Sequence, residues 1–332
     1  MKNLIKKLTE TFSPSGYESV VRDIVLAEIN GYYDEAKVDA LGNLIVRKKP
    51  SGQMTDPKKI MLAAHMDEIG IIATHIEETG FVRFTSIGGV NPQNLPGSRV
   101  RFVNGKQGVI GVEPLKSGDV ISLEKCFIDV GFSGNMDHPI QIGDVAGFDR
   151  EFLDLGDKVV AKALDDRIGV AVAIQALKAI KDNPNDLYFV FTTQEEVGTR
   201  GAETSAYGID PDLGFSVDVT GWGDTPNQKN LAIYLGKGPA IKIKDGGMIS
   251  DPRIVRWMTT TAEANHLPYQ REVLLGGTTD ARAMQLVRAG VPVGCVSIPC
   301  RYVHSPSEMV DINDVENAVK LITAMLSTNV EL

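Results

Sequence analysis

Two adjacent glutamates follow an apolar run that is typical of a buried strand. The run "LYFVFTT" is followed by Gln194, and then by Glu195 and Glu196. Neighbouring side chains on an extended strand point to opposite faces, so both carboxylates can reach one site only if the chain leaves the strand before them. One carboxylate can then bind a metal ion while the other takes a proton from water.

Further residues capable of chemistry stand at similar junctions along the chain. They are His65 and Asp67 after "IMLAA", Asp165 and Asp166 before the helical run "RIGVAVAIQALKAIK", Asp218 near the end of "LGFSVDVT", and His304 after "GCVSIPCRYV". Ligand sites in open α/β sheets form outside the carboxyl ends of the strands. We therefore expect five separate segments to deliver these side chains to one edge of a sheet.

The residue types narrow the chemistry. Imidazoles and carboxylates without thiolates suit zinc or a similar divalent ion. The carboxylates are too many for one ion, which predicts two ions roughly 3.5–4 Å apart that share a bridging carboxylate. His65 and Asp67 lie on the same face of an extended chain, so Asp67 is expected to accept a hydrogen bond from the second nitrogen of a metal-bound His65. For Asp165, helix capping is an alternative to ligation, and the two roles can coexist across Asp165 and Asp166.

Composition and charge limit the class of protein. The 332 residues are 43% hydrophobic, enough for one large or two moderate domains. A formal net charge of −9 argues against nucleic acid or an anionic membrane as the main partner. Three cysteines make no disulfide framework, which indicates a cytoplasmic protein, and no apolar run approaches the length of a membrane span.

The order of elements predicts an α/β protein with an insertion. Helices and apolar strands alternate over residues 1–70 and 158–332, which is typical of a mixed, largely parallel sheet between helices. Residues 71–157 instead carry short alternating segments with frequent glycines. "RVRFVNGKQGVIGV" is a hairpin signal with its turn at Asn104 and Gly105. The insertion is therefore predicted to be a small β-barrel or sandwich.

Five motifs point to one family. "AAHMDEIG", "ALDDRIG", "TTQEEVGTRGA", "SVDVT" and "RYVHSPSEM" closely resemble the cytosolic dinuclear metallo-aminopeptidases, which include glutamyl aminopeptidase and the tetrahedral (TET) aminopeptidases. The match extends from "PSGYE" near the start of the chain to "HSPSEMVDINDVENAVKLI" near its end. Together these motifs are highly specific for the family, whereas "QEE" alone would not identify it.

The resemblance implies a role for each site residue. His65 and Asp218 bind one ion, Glu196 and His304 bind the other, Asp165 bridges both, Glu195 is the general base, and Asp67 is the partner of His65. It also implies a zinc-exopeptidase-like fold with an inserted β-barrel, two zinc or cobalt ions per subunit, and a metal-bridged water as nucleophile. The expected reaction removes the N-terminal residue from short peptides with a free amino group. A homo-oligomer is expected, with the dodecamer common in the family, and the barrel is expected to organise subunits and access.

Other functions are set against this interpretation. A co-catalytic metal deacylase or carboxypeptidase would use the same ions. Some relatives carry an endoglucanase label, but a glycosidase needs its two carboxylates on opposite sides of a sugar, and aromatic residues make up only 6% of this chain. A non-catalytic scaffold would not need Glu195. Lys244 and Arg282 are candidate partners for an acidic substrate side chain, although both have the alternative of being solvated surface residues.

Overall fold

The computed structural model describes residues 1–52, 56–228 and 231–330. In these ranges the α-helices are α1 (Lys2–Thr9), α2 (Ser19–Glu28), α3 (Leu164–Ala179), α4 (Arg200–Ile209), α5 (Pro252–Ala264), α6 (Asp280–Gln285) and α7 (Ile312–Leu326). The strands are β1 (Glu35–Val38), β2 (Leu44–Lys48), β3 (Lys59–His65), β4 (Gly70–Ile76), β5 (Val82–Ile87), β6 (Arg99–Phe102), β7 (Gln107–Val112), β8 (Cys126–Asp129), β9 (Val145–Phe148), β10 (Leu153–Asp154), β11 (Lys158–Ala161), β12 (Asp186–Thr192), β13 (Leu213–Thr220), β14 (Ala240–Lys244), β15 (Gln270–Val273), β16 (Val293–Arg301) and β17 (Glu308–Asp311). Short 3-10 helices cover Pro92–Asn94 and Leu123–Lys125.

A large mixed sheet forms the body of the molecule. Its strand order is β1-β2-β12-β3-β13-β16-β17-β11-β10, with β14 attached to β16 and β15 to β14. The four neighbours β12, β3, β13 and β16 run parallel, while β1, β2, β17, β11 and β10 pair antiparallel towards the edges. This confirms the predicted α/β class. Because the central strands are parallel, their carboxyl ends meet at one edge of the sheet.

Alternating residues of the central strands feed two separate cores. On β3, Leu62 packs with Phe189 and Phe215 in the core shared with α3, α5 and α7. The preceding residue, Met61, packs on the other side with Val190 and with residues of α4 and α6. Successive side chains on a strand point to opposite faces, so a strand that is covered on both sides must be apolar throughout. The sheet is therefore a rigid layer between helices.

The insertion closes into a six-stranded barrel of order β4-β5-β8-β7-β6-β9. It has an apolar core of its own, which includes Ile71, Val100 and Ile128. The predicted turn at Asn104–Gly105 joins β6 to β7, and Gly105 has a φ of 85°. Barrel strands run from Gly70 to Phe148, and β10, inside the predicted insertion 71–157, pairs with β11 of the large sheet.

The division into two functional domains stays a prediction. Among the described helices, none is both long and apolar enough to cross a membrane.

Candidate metal centre

The predicted site residues lie around the carboxyl edge of the central strands. His65 ends β3, Asp67 follows it, Asp165 lies in the first turn of α3, Glu195 and Glu196 follow β12, Asp218 lies in β13, and His304 lies between β16 and β17. The parallel pairing of β12, β3, β13 and β16 explains the gathering, because each strand delivers its last residues to the same edge.

The five predicted ligands form two overlapping groups. His65, Asp165 and Asp218 each offer a ligand atom within 4.8 Å of the others, and so do Asp165, Glu196 and His304. Asp165 belongs to both groups, since its Oδ1 is 3.0 Å from His65 Nε2 and its Oδ2 is 3.3 Å from His304 Nε2. We name these groups the His65 half-site and the His304 half-site. They have the same members as the ligand sets that the family resemblance implies.

The chain leaves the strand before the two glutamates. Strand β12 ends at Thr192, and Gln194 has a φ of 56°, which turns the backbone out of the extended conformation. The backbone N–H groups of Glu195 and Glu196 then donate to Asp67 Oδ1 at 3.0 Å and to Oδ2 at 3.2 Å. Asp67 therefore fixes the turn that directs both carboxylates into the centre.

His65 is oriented by the residue two positions later. Its Nδ1 lies 3.1 Å from the backbone carbonyl oxygen of Asp67 and 3.5 Å from the carboxylate Oδ1 of the same residue. The carbonyl is thus the nearer acceptor, and an Nδ1–H donor to it leaves Nε2 free to ligate. Nε2 faces Asp165 and lies 3.9 Å from Glu195 Oε2.

The centre holds more negative charge than the chain can neutralise. Burial, followed by the neighbouring carboxylates, raises the pKa of Asp218 and of Glu195. Burial alone would lower the pKa of His304, but its contacts with Asp165 and Glu196 raise that pKa to about 12. The raised pKa values of the carboxyl groups and of the imidazole have one cause, which is the crowding of buried carboxylates. Without a metal cation, such carboxylates either keep a proton themselves or hold one on a nearby imidazole.

The donor set fits divalent cations. Within the described residues, the ion pairs of these carboxylates are with His65 and His304, not with lysine or arginine. Glu196 Oε1 is buried and has no hydrogen-bond partner there. A buried carboxylate oxygen without a partner is costly, and a metal ion satisfies it. Nitrogen and oxygen donors without thiolate match zinc and its neighbours in the transition series.

Sequence comparison decides the family. Residues 42–321 match the family model for M42 glutamyl aminopeptidase. The chain belongs to this family. A putative aminopeptidase of Acetivibrio thermocellus is 45% identical over 325 residues, which cover 97% of this chain and 97% of the relative. The M42 chain is thus an aminopeptidase, a hydrolase of peptide bonds, and family membership implies divalent metal ions.

Solved structures agree with this assignment. An aminopeptidase of Desulfurococcus kamchatkensis is 43% identical, with a TM-score of 0.94 over 98% of this M42 chain and 94% of that chain. The TET1 peptidase of Pyrococcus horikoshii, which can assemble into a tetrahedron or a large octahedral shell, is 34% identical over 99% of each chain, with a TM-score of 0.89. A protein of Thermotoga maritima named endoglucanase is 35% identical over 97% of this chain and 96% of that one, with a TM-score of 0.81.

A cavity of about 370 Å³ opens beside the centre of this M42 aminopeptidase. The lining includes Asp165, the two glutamates, Asp218 and His304, together with Lys242, Leu274, Thr278 and Arg282. Lys244, the predicted partner of an acidic substrate, is not part of this lining, and its Nζ donates to the backbone carbonyl of Asp245 at 2.8 Å. The β14–β15 register shifts between Lys242 and Lys244, so the two lysines do not share one environment.

Two residues outside the predicted set, Glu308 and Ser15, hold the backbone and side chains of the M42 centre. Glu308 accepts hydrogen bonds from the backbone N–H of Asp165 at 2.9 Å and of His304 at 2.8 Å. Ser15 Oγ donates to Asp67 Oδ2 at 2.6 Å. Glu308 lies within the motif "HSPSEM", so its proximity to His304 was a usable signal. Ser15 lies 52 residues from Asp67, and only the fold brings them together.

Asp166 combines two structural contacts. Its Oδ1 accepts from the backbone N–H of Gly169 at 3.0 Å, which caps the regular part of α3, and its Oδ2 accepts from the N–H of His65 at 3.3 Å. Asp165 meanwhile points to both half-sites. In the structure, capping and the position suited to ligation are thus divided between the two adjacent aspartates.

Proposed function

We propose that this M42 aminopeptidase removes the N-terminal residue from short peptides with two divalent ions and Glu195 as general base. The observation that carries the proposal is that only one of the two adjacent glutamates belongs to a ligand group. Glu196 belongs to the His304 half-site, whereas Glu195 belongs to neither group and still lies 3.9 Å from His65 Nε2. A buried carboxylate beside two ligand groups, but outside both, suits a proton carrier.

The bound ions supply Lewis acidity and lower the pKa of a bound water. Glu195 takes the proton of the attacking water and passes it to the leaving amine. Asp67 holds the backbone of the catalytic turn through its carboxylate and the ring of His65 through its carbonyl oxygen. Ser15 in turn fixes the Asp67 carboxylate. Each proton movement therefore takes place at a carboxylate whose backbone is hydrogen-bonded in place.

The substrate's free amino group is expected beside the carboxylates that line the cavity. Glu195, Glu196 and Asp218 are part of that lining, so an ammonium group finds opposite charge there. A blocked peptide has no such group. We expect N-acetylated peptides to remain uncut, whereas a deacylase would accept them and a carboxypeptidase would cut at the other terminus.

Zinc and cobalt are the proposed ions, and metal removal tests the proposal. Chelation is expected to abolish cleavage of a leucyl or glutamyl nitroanilide, and adding back zinc, cobalt or manganese in turn should restore it at two ions per chain, as measured by elemental analysis. Full activity in a protein freed of metal would contradict the proposal. Restoration at one ion per chain would contradict the two-ion form of it.

A glycosidase function is not favoured. Family membership supports peptide hydrolysis, and the paired carboxylates of a glycosidase must flank a sugar from opposite sides. Glu195 and Glu196 are adjacent, and Asp67 binds both of their backbone N–H groups. Hydrolysis of cellulose oligosaccharides by metal-loaded protein would reverse this conclusion.

A preference for substrates with an acidic N-terminal side chain is also proposed, with Arg282 as the residue that binds this side chain. Arg282 is exposed and lines the cavity, whereas the ammonium of Lys242 is already 3.2 Å from the carboxylate of Glu272. Rates on a panel of aminoacyl nitroanilides test it, with Arg282→Leu as the variant. Glutamyl and aspartyl substrates should lose their advantage in that variant, and faster cleavage of leucyl substrates by the unmodified protein would contradict the preference.

We further propose a cytoplasmic homo-oligomer, with a dodecamer as the expected size. Two findings support this. The TET1 structures include a dodecamer and a peptidase that can assemble into a tetrahedron or a large octahedral shell, and the three cysteines of this chain are free and buried. The barrel is the proposed organiser of the subunits. Light scattering on purified protein measures the mass, and a monomer at micromolar concentration would contradict the assembly.

A further inference from the structure

We infer that the barrel is part of the metal centre, because its Gly88–Gly89 turn holds two ligands of the His304 half-site in position. The inference rests on the proposed two-ion centre, and it assigns to the barrel a function at the reaction site in addition to any part in assembly.

Gly89 lies directly against the imidazole of His304. A Cβ built on Gly89 would stand 2.5 Å from His304 Nδ1 and 2.7 Å from its Cε1. Non-bonded carbon atoms need roughly 3.5–4.0 Å, so any side chain at this position must displace the ring. The backbone of Gly89 therefore borders the Nδ1–Cε1 edge of the ring, and a larger residue at this position would take the space of that edge.

Gly88 stands in the same relation to the second ligand. A Cβ on Gly88 would lie 3.0 Å from Glu196 Oε2, 3.1 Å from Glu196 Cβ and 2.9 Å from Ile69 Cγ2. Gly88 also has a φ of 77°, a conformation that favours glycine. Two consecutive glycines thus contact two ligands of one half-site. The contact is more extensive than a single close approach between neighbouring loops.

The two half-sites differ in how their ligands are held. His65 and Asp218 lie on central strands of the sheet, and their side chains are 2% and 8% exposed. His304 lies in a loop with a φ of 61°, and its side chain is 35% exposed. Glu308 fixes the backbone N–H of His304 but not its ring. The ring consequently needs a neighbour, and Gly89 is in contact with it.

The position of the turn is set by the barrel. Gly88 directly follows β5, whose last residue, Ile87, pairs with Gly70 at the start of β4. The N–H of Val90 donates to the carbonyl of Gly88 at 3.0 Å, which tightens the turn. Strand β4 begins five residues after His65. The β4–β5 hairpin therefore starts beside the large sheet, and the turn that follows β5 lies beside it again.

The test is Gly89→Ala with metal binding as the readout. A displaced imidazole moves its Nε2 away from Asp165 and Glu196, so the second ion should bind about 10–100-fold more weakly, as found for residues that orient ligands. The ion at the His65 half-site should keep its affinity. Equilibrium dialysis with zinc and elemental analysis, supported by the visible spectrum of the cobalt form, measures the two ions separately. Gly208→Ala is the matched control, because a Cβ there meets nothing within 4 Å.

A double variant separates a clash with His304 from general damage. Gly89→Ala should lower the melting temperature of the metal-free protein, and the same change made in His304→Ala should not, because the ring is then absent. Equal losses in both backgrounds would overturn the inference, and so would unchanged binding of both ions or equal weakening of both in Gly89→Ala. If the unmodified protein binds fewer than two ions, the proposed function itself fails, which is a separate result.

Discussion

Two clusters of buried charge lie side by side in this molecule, and they are built on opposite principles. In the first, which we name the Glu68 cluster, the carboxylate of Glu68 accepts from Lys162 Nζ at 2.7 and 2.9 Å and lies 3.4 Å from Arg167. The Arg167 guanidinium also donates to the backbone carbonyls of Met66 and Leu8. One carboxylate therefore serves two cations, and backbone carbonyls accept further hydrogen bonds from the guanidinium, so each charge of this cluster has a partner within the chain.

The second cluster is the candidate metal centre, where, among the described residues, no lysine or arginine forms an ion pair with the carboxylates. Its carboxylates are paired with two imidazoles, and one oxygen of Glu196 lacks a partner among the described residues. The two clusters share short segments. Asp67 faces the centre and Glu68 the paired cluster, while Asp165 faces the centre and Arg167 the paired cluster.

The two clusters differ in whether the protein itself supplies partners for the buried charges, and this difference indicates which of them binds a ligand. A paired cluster is complete and needs no ligand, and breaking it leaves an uncompensated charge. An unpaired cluster is incomplete without an ion, and burying it costs free energy until one binds. Neighbouring charges in the sequence, such as Asp67 and Glu68, cannot be assigned to one kind or the other until their partners are known.

The largest expected effect comes from Glu195, the carboxylate of the centre that lies outside both half-sites. Glu195→Gln should lower kcat by about 10²–10⁴-fold, because the proton carrier is lost. Metal content should stay at the level of the unmodified protein, since Glu195 lies outside both half-sites. Steady-state rates and elemental analysis on the same samples measure both. Loss of an ion together with activity would show that Glu195 is a ligand instead.

The paired cluster should fail through stability alone. Glu68→Gln leaves the buried Lys162 and Arg167 without their carboxylate, and the free energy of unfolding should fall by about 3–5 kcal/mol. Denaturant unfolding measures it, with metal content at saturating zinc expected to be unchanged. Glu316→Gln, at an exposed position of α7, serves as the control and should stay within about 0.5 kcal/mol. A Glu68 variant that is as stable as the control would remove the contrast between the clusters.

The unpaired cluster should make the metal-free protein sensitive to pH. The pKa of His304 is raised from 6.5 to about 12, so between these values the folded state keeps a proton that the unfolded state releases. Each such proton lowers the free energy of unfolding by about 1.4 kcal/mol per pH unit as pH rises, although His304 is partly exposed and solvent screening reduces its share. The raised pKa values of Glu195 and Asp218 act with the same sign from their ordinary values upwards.

Unfolding curves of chelated and zinc-loaded protein between about pH 6.5 and 9 measure this effect. The chelated protein should lose stability as pH rises, and the gain in stability from zinc should grow, because no proton then competes for the ligands. Parallel curves for the two forms would contradict the account of the centre as an unpaired cluster.

The smallest effect is expected for the loss of one centre carboxylate in the absence of metal. Asp218→Asn replaces a buried carboxyl group, whose pKa is raised by burial, with a neutral amide, so the metal-free protein should become slightly more stable. The same variant should bind the ion of the His65 half-site more weakly. Calorimetry of chelated samples measures the first effect and zinc titration the second. A destabilised metal-free variant would show that the chain tolerates this charge better than its surroundings suggest.

Much of the centre could be predicted from the sequence because its parts follow apolar strands. His65, Asp218 and Glu196 each come at or after such a run, and parallel strands place their ends together. The α/β class and the hairpin at Asn104–Gly105 were predictable for a similar reason, since the local pattern and the observed structure agree.

What escaped prediction depends on contacts between distant segments. The sequence predicts Lys244 as a partner for the substrate, but Lys242 lines the cavity instead. The register of β14 and β15 shifts between these two lysines, which breaks the strict alternation that a sequence suggests. Ser15 and the Gly88–Gly89 turn carry no chemical signal of their own. Their proximity to Asp67, Glu196 and His304 arises only when the N-terminal segment and the barrel pack on the sheet.

Asp165 has a consequence for how such an enzyme can change over time. Since one carboxylate contributes an oxygen to each half-site, the affinities of the two ions cannot be adjusted separately at this position. In the proposed two-ion centre, a descendant that dispenses with one ion can alter the other two members of that ion's half-site and keep Asp165. Replacing Asp165 itself would weaken both ions in a single step, so this residue should be the last of the five to vary.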